Sequence, residues 1–233
     1  MCGNDPAGNR YVLLNKIMTK IKACIFDLDG VLVDTASYHY LAWKKLANQL
    51  GFDFTEKENE RLKGINRLAS LNLILEWGGV TVAADSLAQL ADKKNAWYTE
   101  MIENMTDENL LPGTKDFLQT LIKSGYKVAL GSASKNARLI LDKTKVAGYF
   151  DAIVDGTSVS ESKPDPTVFL EGAKLLGVDP KNCVVFEDAV SGIEAAKQAG
   201  MKVIGVGSPE VLIHADLVIS GLDKIKIEDI QFL

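Results

Sequence analysis

Asp27 and Asp29 lie two residues apart, directly ahead of Gly30. On an extended chain, side chains at that spacing point to the same face, so the two carboxylates would converge. Like charges held that close repel unless a cation or a shared proton intervenes. Hard oxygen ligands suit Mg²⁺, and such an ion can bridge to a phosphoryl oxygen. Taken alone, the pair serves equally well as a solvated turn after a strand. Four further positions add to it: Ser132, Lys163, and the adjacent acids Glu187 and Asp188. A carboxylate nucleophile, a hydroxyl, a lysine and metal ligands are the set that phosphoryl transfer through an aspartyl phosphate requires.

These residues can act together only if the chain gathers them. Ala23 to Phe26 is a short apolar run, as expected of a strand buried on both faces, and it stops at Asp27. Similar runs at Tyr126–Leu130, Ala152–Val154, Val184–Phe186, Val203–Val206 and Leu217–Ile219 give five more strands. Helical segments alternate with them: one after Gly113 with Phe117, Leu118, Leu121 and Ile122 on its apolar side, then about 135–146, one opened by Pro166, and Ile193–Ala199. Strand–helix alternation predicts an α/β fold, a three-layer Rossmann-like core with a mostly parallel sheet and helices on both faces. In such sheets ligands bind at the carboxyl edge of the strands, where Asp27, Asp29, Ser132, Glu187 and Asp188 would all fall.

The stretch 35–106 reads differently. A helix capped by Asp34 or Thr35 runs to Gly51, and 55–76 and 84–105 continue as helical segments, interrupted by Lys63-Gly64 and by Gly78-Gly79, with no strand-like alternation. The expected organisation is therefore a peripheral extension over 1–19, a catalytic core over 20–34 and 107–233, and an inserted all-α cap over 35–106. Thr35, His39 and Trp43 recur every four residues on one side of the first cap helix; packing against a neighbouring helix is one reading of His39 and Trp43.

The bulk properties agree with a soluble enzyme core. With 233 residues, 47% hydrophobic, the chain can bury a proper core, and a net charge of −5 offers no basic footprint for nucleic acid or an anionic membrane. Cys2, Cys24 and Cys183 are far apart and odd in number, which favours free thiols and a cytoplasmic location. No apolar run approaches a membrane span, and no signal-peptide pattern is present.

All of these motifs, in this order over about 21–220, resemble the haloacid dehalogenase-like superfamily of phosphotransferases. The resemblance implies Asp27 as nucleophile, Asp29 as general acid/base, Ser132 and the main chain around Ala133 as hydrogen-bonding groups for the transferring phosphate, and Lys163 as counter-charge. It implies Mg²⁺ held by Asp27, the Asp29 carbonyl and Asp188, with Glu187 as ligand or support. Within the superfamily the chain is similar to mutases that interconvert β-glucose 1-phosphate and glucose 6-phosphate, with β-glucose 1,6-bisphosphate as intermediate and activator. On that likeness His39, Trp43, Lys63, Gly64, Arg67, Lys94 and Asn95 would contact substrate from the cap, and Ser134, Lys135 and Asn136 from the core, in a monomer. Arg67 would grip the phosphate that is not reacting. Asn66 departs from the expected small hydroxyl residue, and Leu68 and Ala69 are more apolar than usual. A phosphatase with the same core, for which water is the acceptor, is the alternative.

Overall fold

The computed structural model describes residues 20–231 and 233; the expected extension over 1–19 lies outside them. Six parallel strands form the sheet: β1 (Ala23–Phe26), β2 (Lys127–Gly131), β3 (Ala152–Val154), β4 (Cys183–Glu187), β5 (Lys202–Val206) and β6 (Leu217–Ile219). Their order is β3-β2-β1-β4-β5-β6, so the chain winds out in both directions from β1. The switch lies between β1 and β4, where such sheets open a crevice at the strand ends.

Strand parity sorts the side chains into two layers. Cys24, Phe26, Val128, Leu130, Val184 and Phe186 pack on one face beneath α5 (Thr114–Lys123) and α6 (Ala137–Lys143). Ala23, Ile25, Ala129 and Val185 pack on the other beneath α7 (Thr167–Leu176) and α8 (Val190–Gln198). Phe26, Phe117 and Phe186 form one aromatic knot, with Phe26 and Phe186 stacked at 4.5 Å. Both faces of the central strands are covered, which explains their unbroken apolar runs. A short α9 (Ile227–Gln231), which no sequence signal announced, closes one layer through Ile230.

Between β1 and α5 the chain builds the helical insert: α1 (Ala36–Gln49), α2 (Glu56–Glu60), α3 (Arg67–Trp77) and α4 (Ala84–Ile102). It has its own apolar centre, made of Trp43, Leu46, Phe54, Leu71, Ile74 and Ala91. Trp43 is thus a core residue of the insert. The expected interruption at Lys63-Gly64 falls within residues 61–66, between α2 and α3, where Gly64 adopts a positive φ and Asn66 caps α3 through a hydrogen bond from Ala69 N. Of the two caps expected at α1, Thr35 makes no cap bond, its hydroxyl being hydrogen-bonded to Asp29, while Asp34 accepts from Ala36 N at 3.3 Å. Helix α6 begins two residues later than the spacing suggested, because Ser134 to Asn136 form a turn. Among the described residues no helix is long and apolar enough to cross a membrane.

Candidate active site

The sheet register sets Phe26 beside Leu130 and Phe186, which brings Asp27, Gly131 and Glu187 level at the carboxyl edge. Asp27 continues the pairing through its amide, which donates to the Phe186 carbonyl at 2.9 Å. The chain then folds back: Gly30 N donates to the Val33 carbonyl at 2.8 Å, and Gly30 has φ +79°. A Cβ on Gly30 would collide with the Asp188 carboxylate, so glycine is needed here both for conformation and for space.

Lys163 stands at the centre of the core half. Its ammonium, on a fully buried side chain, lies 2.5 Å from Asp27 Oδ1 and 2.7 Å from Glu187 Oε1, over the face of Phe169 at 4.7 Å. Burial opposes its charge, but Asp27 and Glu187 outweigh burial and hold the ammonium above the usual lysine range. Burial lifts the Glu187 carboxyl to about 7 against the pull of Lys163. The second Glu187 oxygen accepts from Ala189 N at 2.6 Å. Burial, reinforced by Asp27, raises Asp29 to about 6, while the Thr35 hydroxyl and Lys163 act the other way. Asp29 can therefore exchange a proton near neutral pH.

Ser132 follows β2, is 1% exposed, and its hydroxyl accepts from Ser134 N at 3.1 Å. Ala133, Ser134, Lys135 and Asn136 line the same cavity, which has a volume of about 770 Å³. So does the loop 156–161, which the sequence did not single out. That loop is anchored by Asp155, a buried acid that accepts from Thr157 N at 2.9 Å and pairs with Arg138 Nε at 2.9 Å.

The insert roofs this cavity. His39 and Trp43 from α1, Lys63, Gly64 and Arg67 from the 61–67 segment, and Lys94 and Asn95 from α4 all line it. Lys94 is 2% exposed and lies 4.5 Å over Trp43 and 4.7 Å over Tyr98. Burial, with Arg67 nearby, lowers it to about 7. Its Nζ lies 2.9 Å from His39 Nδ1, within hydrogen-bonding distance, and burial, with Lys94 nearby, holds that imidazole well below its usual pKa. The Arg67 guanidinium has a loose contact with exposed Asp92 at 3.8 Å. Asn136 Nδ2 donates to Asn95 Oδ1 at 2.8 Å, joining core and insert across the cavity. All the residues expected to touch substrate therefore line one cavity.

The acids do not make a closed metal cage. Among the described residues no group of three His, Cys, Asp or Glu side chains is arranged to hold an ion. Glu187, expected as ligand or support, has one oxygen bonded by Lys163 Nζ and the other by Ala189 N. The Asp29 side chain is turned to Thr35. Asp27 and Asp188 remain, the latter paired with Lys63 Nζ at 2.9 Å. Mg²⁺ keeps several waters and takes one or two carboxylates plus substrate phosphate, so this open pair of oxygen donors fits it.

Residues 21–200 match the haloacid dehalogenase-like hydrolase family. The chain is 43% identical to the β-phosphoglucomutase of Bacillus subtilis (strain 168), over 89% of this chain and 93% of that one. It superposes on the crystal structure of β-phosphoglucomutase from Clostridium difficile with a TM-score of 0.88 and 42% identity, covering 91% of this chain and 96% of that chain. A phosphorylated carbohydrates phosphatase of Thermotoga maritima is 32% identical over 78% of this chain and 83% of that protein. The chain belongs to the haloacid dehalogenase-like hydrolase family. It is a phosphotransferase or phosphatase.

Proposed function

We propose that the protein is a hexose-phosphate mutase that interconverts β-glucose 1-phosphate and glucose 6-phosphate. Asp27 carries the phosphoryl group, and β-glucose 1,6-bisphosphate is the intermediate. The observation that carries the proposal is cationic chemistry on both sides of one cavity: Lys135 on its core wall and Lys163 behind the cavity-lining Asp27, facing Arg67 and Lys94 on the roof. A bisphosphorylated sugar needs a grip at each end, and a bidentate guanidinium suits the phosphate that is not reacting.

In the first half-reaction the phosphate on Asp27 passes to the 6-hydroxyl of β-glucose 1-phosphate. The new oxygen–phosphorus bond forms as the Asp27 carboxylate leaves, and Asp29 accepts the hydroxyl proton. The bisphosphate then reverses in the cavity. Asp27 takes the phosphoryl group from position 1, and Asp29 returns the proton to the departing oxygen. Lys163, held by Asp27 and Glu187, offsets the charge that collects on the transferring group, while the Ser132 hydroxyl and nearby amides orient it. Asp27, Asp188 and the Asp29 main-chain carbonyl would hold Mg²⁺, which supplies charge neutralisation to the phosphoryl oxygens. The roof serves to exclude water, the competing acceptor.

The likeness to a carbohydrate phosphatase favours a second reading, in which water is the normal acceptor. One experiment separates them: incubation with β-glucose 1-phosphate, Mg²⁺ and a trace of the bisphosphate, following glucose 6-phosphate and free phosphate together. The mutase reading expects glucose 6-phosphate in large excess; free phosphate as the main product would replace it with the phosphatase.

A further inference from the structure

Asn66 joins the roof to the core through its side chain and its main-chain N–H. Its Oδ1 accepts from Ala69 N at 3.0 Å and caps α3; its Nδ2 donates to the Ser160 carbonyl at 3.2 Å; its main-chain N–H donates to Ser162 Oγ at 3.1 Å. Beside it, Ser191 Oγ donates to the Lys63 carbonyl at 3.1 Å, so the 63–66 segment is seated on two separate stretches of the core. A carboxamide can accept with one atom and donate with the other. Aspartate would keep the helix cap but turn an oxygen toward the Ser160 carbonyl, and serine would have a single hydroxyl for both tasks.

The placement of these bonds gives them a consequence for the reaction. Asn66 directly precedes Arg67, the first residue of α3, and Ser162 directly precedes Lys163. The contact therefore ties the roof residue proposed to hold one phosphate to the core lysine beside Asp27. We propose that Asn66 and Ser162 form a clasp that keeps the insert closed over Asp27, and are positioning residues that set how the phosphoryl group divides between a sugar hydroxyl and water. This rests on reading Asp27 as the phosphoryl carrier. With the clasp made, bulk water is excluded and the hydroxyl is aligned; with it broken, the aspartyl phosphate meets water more often.

The test uses the full chain carrying Asn66→Asp, Ser162→Ala, or both, with β-glucose 1-phosphate, Mg²⁺ and bisphosphate, measuring glucose 6-phosphate and inorganic phosphate together. Acetyl phosphate hydrolysis is measured alongside as a reaction that needs no aligned sugar. Neutral hydrogen bonds of this kind shift an open–closed balance by about 3–10-fold. The ratio of glucose 6-phosphate to phosphate should fall by that factor in each single variant and further in the double one, because Asn66→Asp removes the bond to the Ser160 carbonyl and Ser162→Ala the bond from the Asn66 main-chain N–H. Acetyl phosphate hydrolysis should hold or rise. An unchanged ratio in both single variants overturns the clasp, and so does a parallel loss of both activities, which would mean general damage. Should the parent release only phosphate from β-glucose 1-phosphate, the mutase reading fails by itself. The clasp then stands if the variants hydrolyse acetyl phosphate several-fold faster, and falls if their rate is unchanged.

Discussion

Lys163→Met removes an ammonium that touches both Asp27 and Glu187 while keeping much of the side-chain length against Phe169. Breaking a buried ion pair from one side costs ~3–5 kcal/mol, because the remaining charge is left uncompensated. Lost wholly from the transition state, that amounts to about a 10²–10⁴-fold drop in rate. The folded state has an escape that the transition state lacks. Glu187 already sits at about 7 with Lys163 pulling it down, so without that pull it rises and takes up a proton near neutrality. A carboxyl raised in the folded state binds a proton on folding; its favourable contribution is complete below the unfolded pKa and is lost as pH rises through the folded one. In metal-free buffer the variant should therefore be only modestly less stable than the parent at about pH 6, and the gap should widen toward about pH 8. Urea unfolding at the two pH values measures the gap, and the coupled assay with saturating Mg²⁺ measures the rate. A rate within threefold of the parent, or a stability gap that does not grow with pH, would refute the placement of Lys163 as the balancing charge.

Two substitutions in the roof follow from its electrostatics. Arg67→Ala should lower mutase turnover by about 10–10²-fold, the worth of a charged hydrogen-bonding contact, and leave acetyl phosphate hydrolysis nearly intact; equal loss of both would argue against a distal phosphate grip. Lys94→Met should raise the stability of the ligand-free protein by ~1–3 kcal/mol, since a desolvated cation is replaced by an apolar chain, while weakening substrate binding. The sign has a pH signature: Lys94 is lowered to about 7 in the folded state, so the parent gains stability as pH rises from there toward the ordinary lysine range, and the variant should lack that gain. Unfolding midpoints and the KM for β-glucose 1-phosphate report both effects.

The core was largely readable from local pattern. An apolar run ending in Asp27 marks a doubly buried strand whose end must face the crevice, and the same logic located β4 and its acids. The insert was readable because residues 35–106 lack strand alternation. What local pattern could not show were contacts made across long stretches of chain. The Lys163–Asp27 pair spans 136 positions, and the Asn66–Ser162 contact spans 96. For that reason the partners of Glu187 and the part played by loop 156–161 emerged only from the fold. Thr35 illustrates the competition involved: a residue suited to capping a helix gives its hydroxyl to a buried carboxylate that needs it more. A Thr six residues beyond Asp29, at the start of the insert, is the signal that could have suggested it.

The claim on which the account turns is that Asp27 becomes phosphorylated during turnover. Rapid quenching of the protein with β-glucose 1,6-bisphosphate, then digestion and mass analysis, should find one phosphoryl group on the peptide containing Asp27 and none on that peptide from Asp27→Asn. An Asp27→Asn protein that interconverts the two glucose monophosphates at the parent's rate, or a phosphoryl group trapped on another residue, would contradict it.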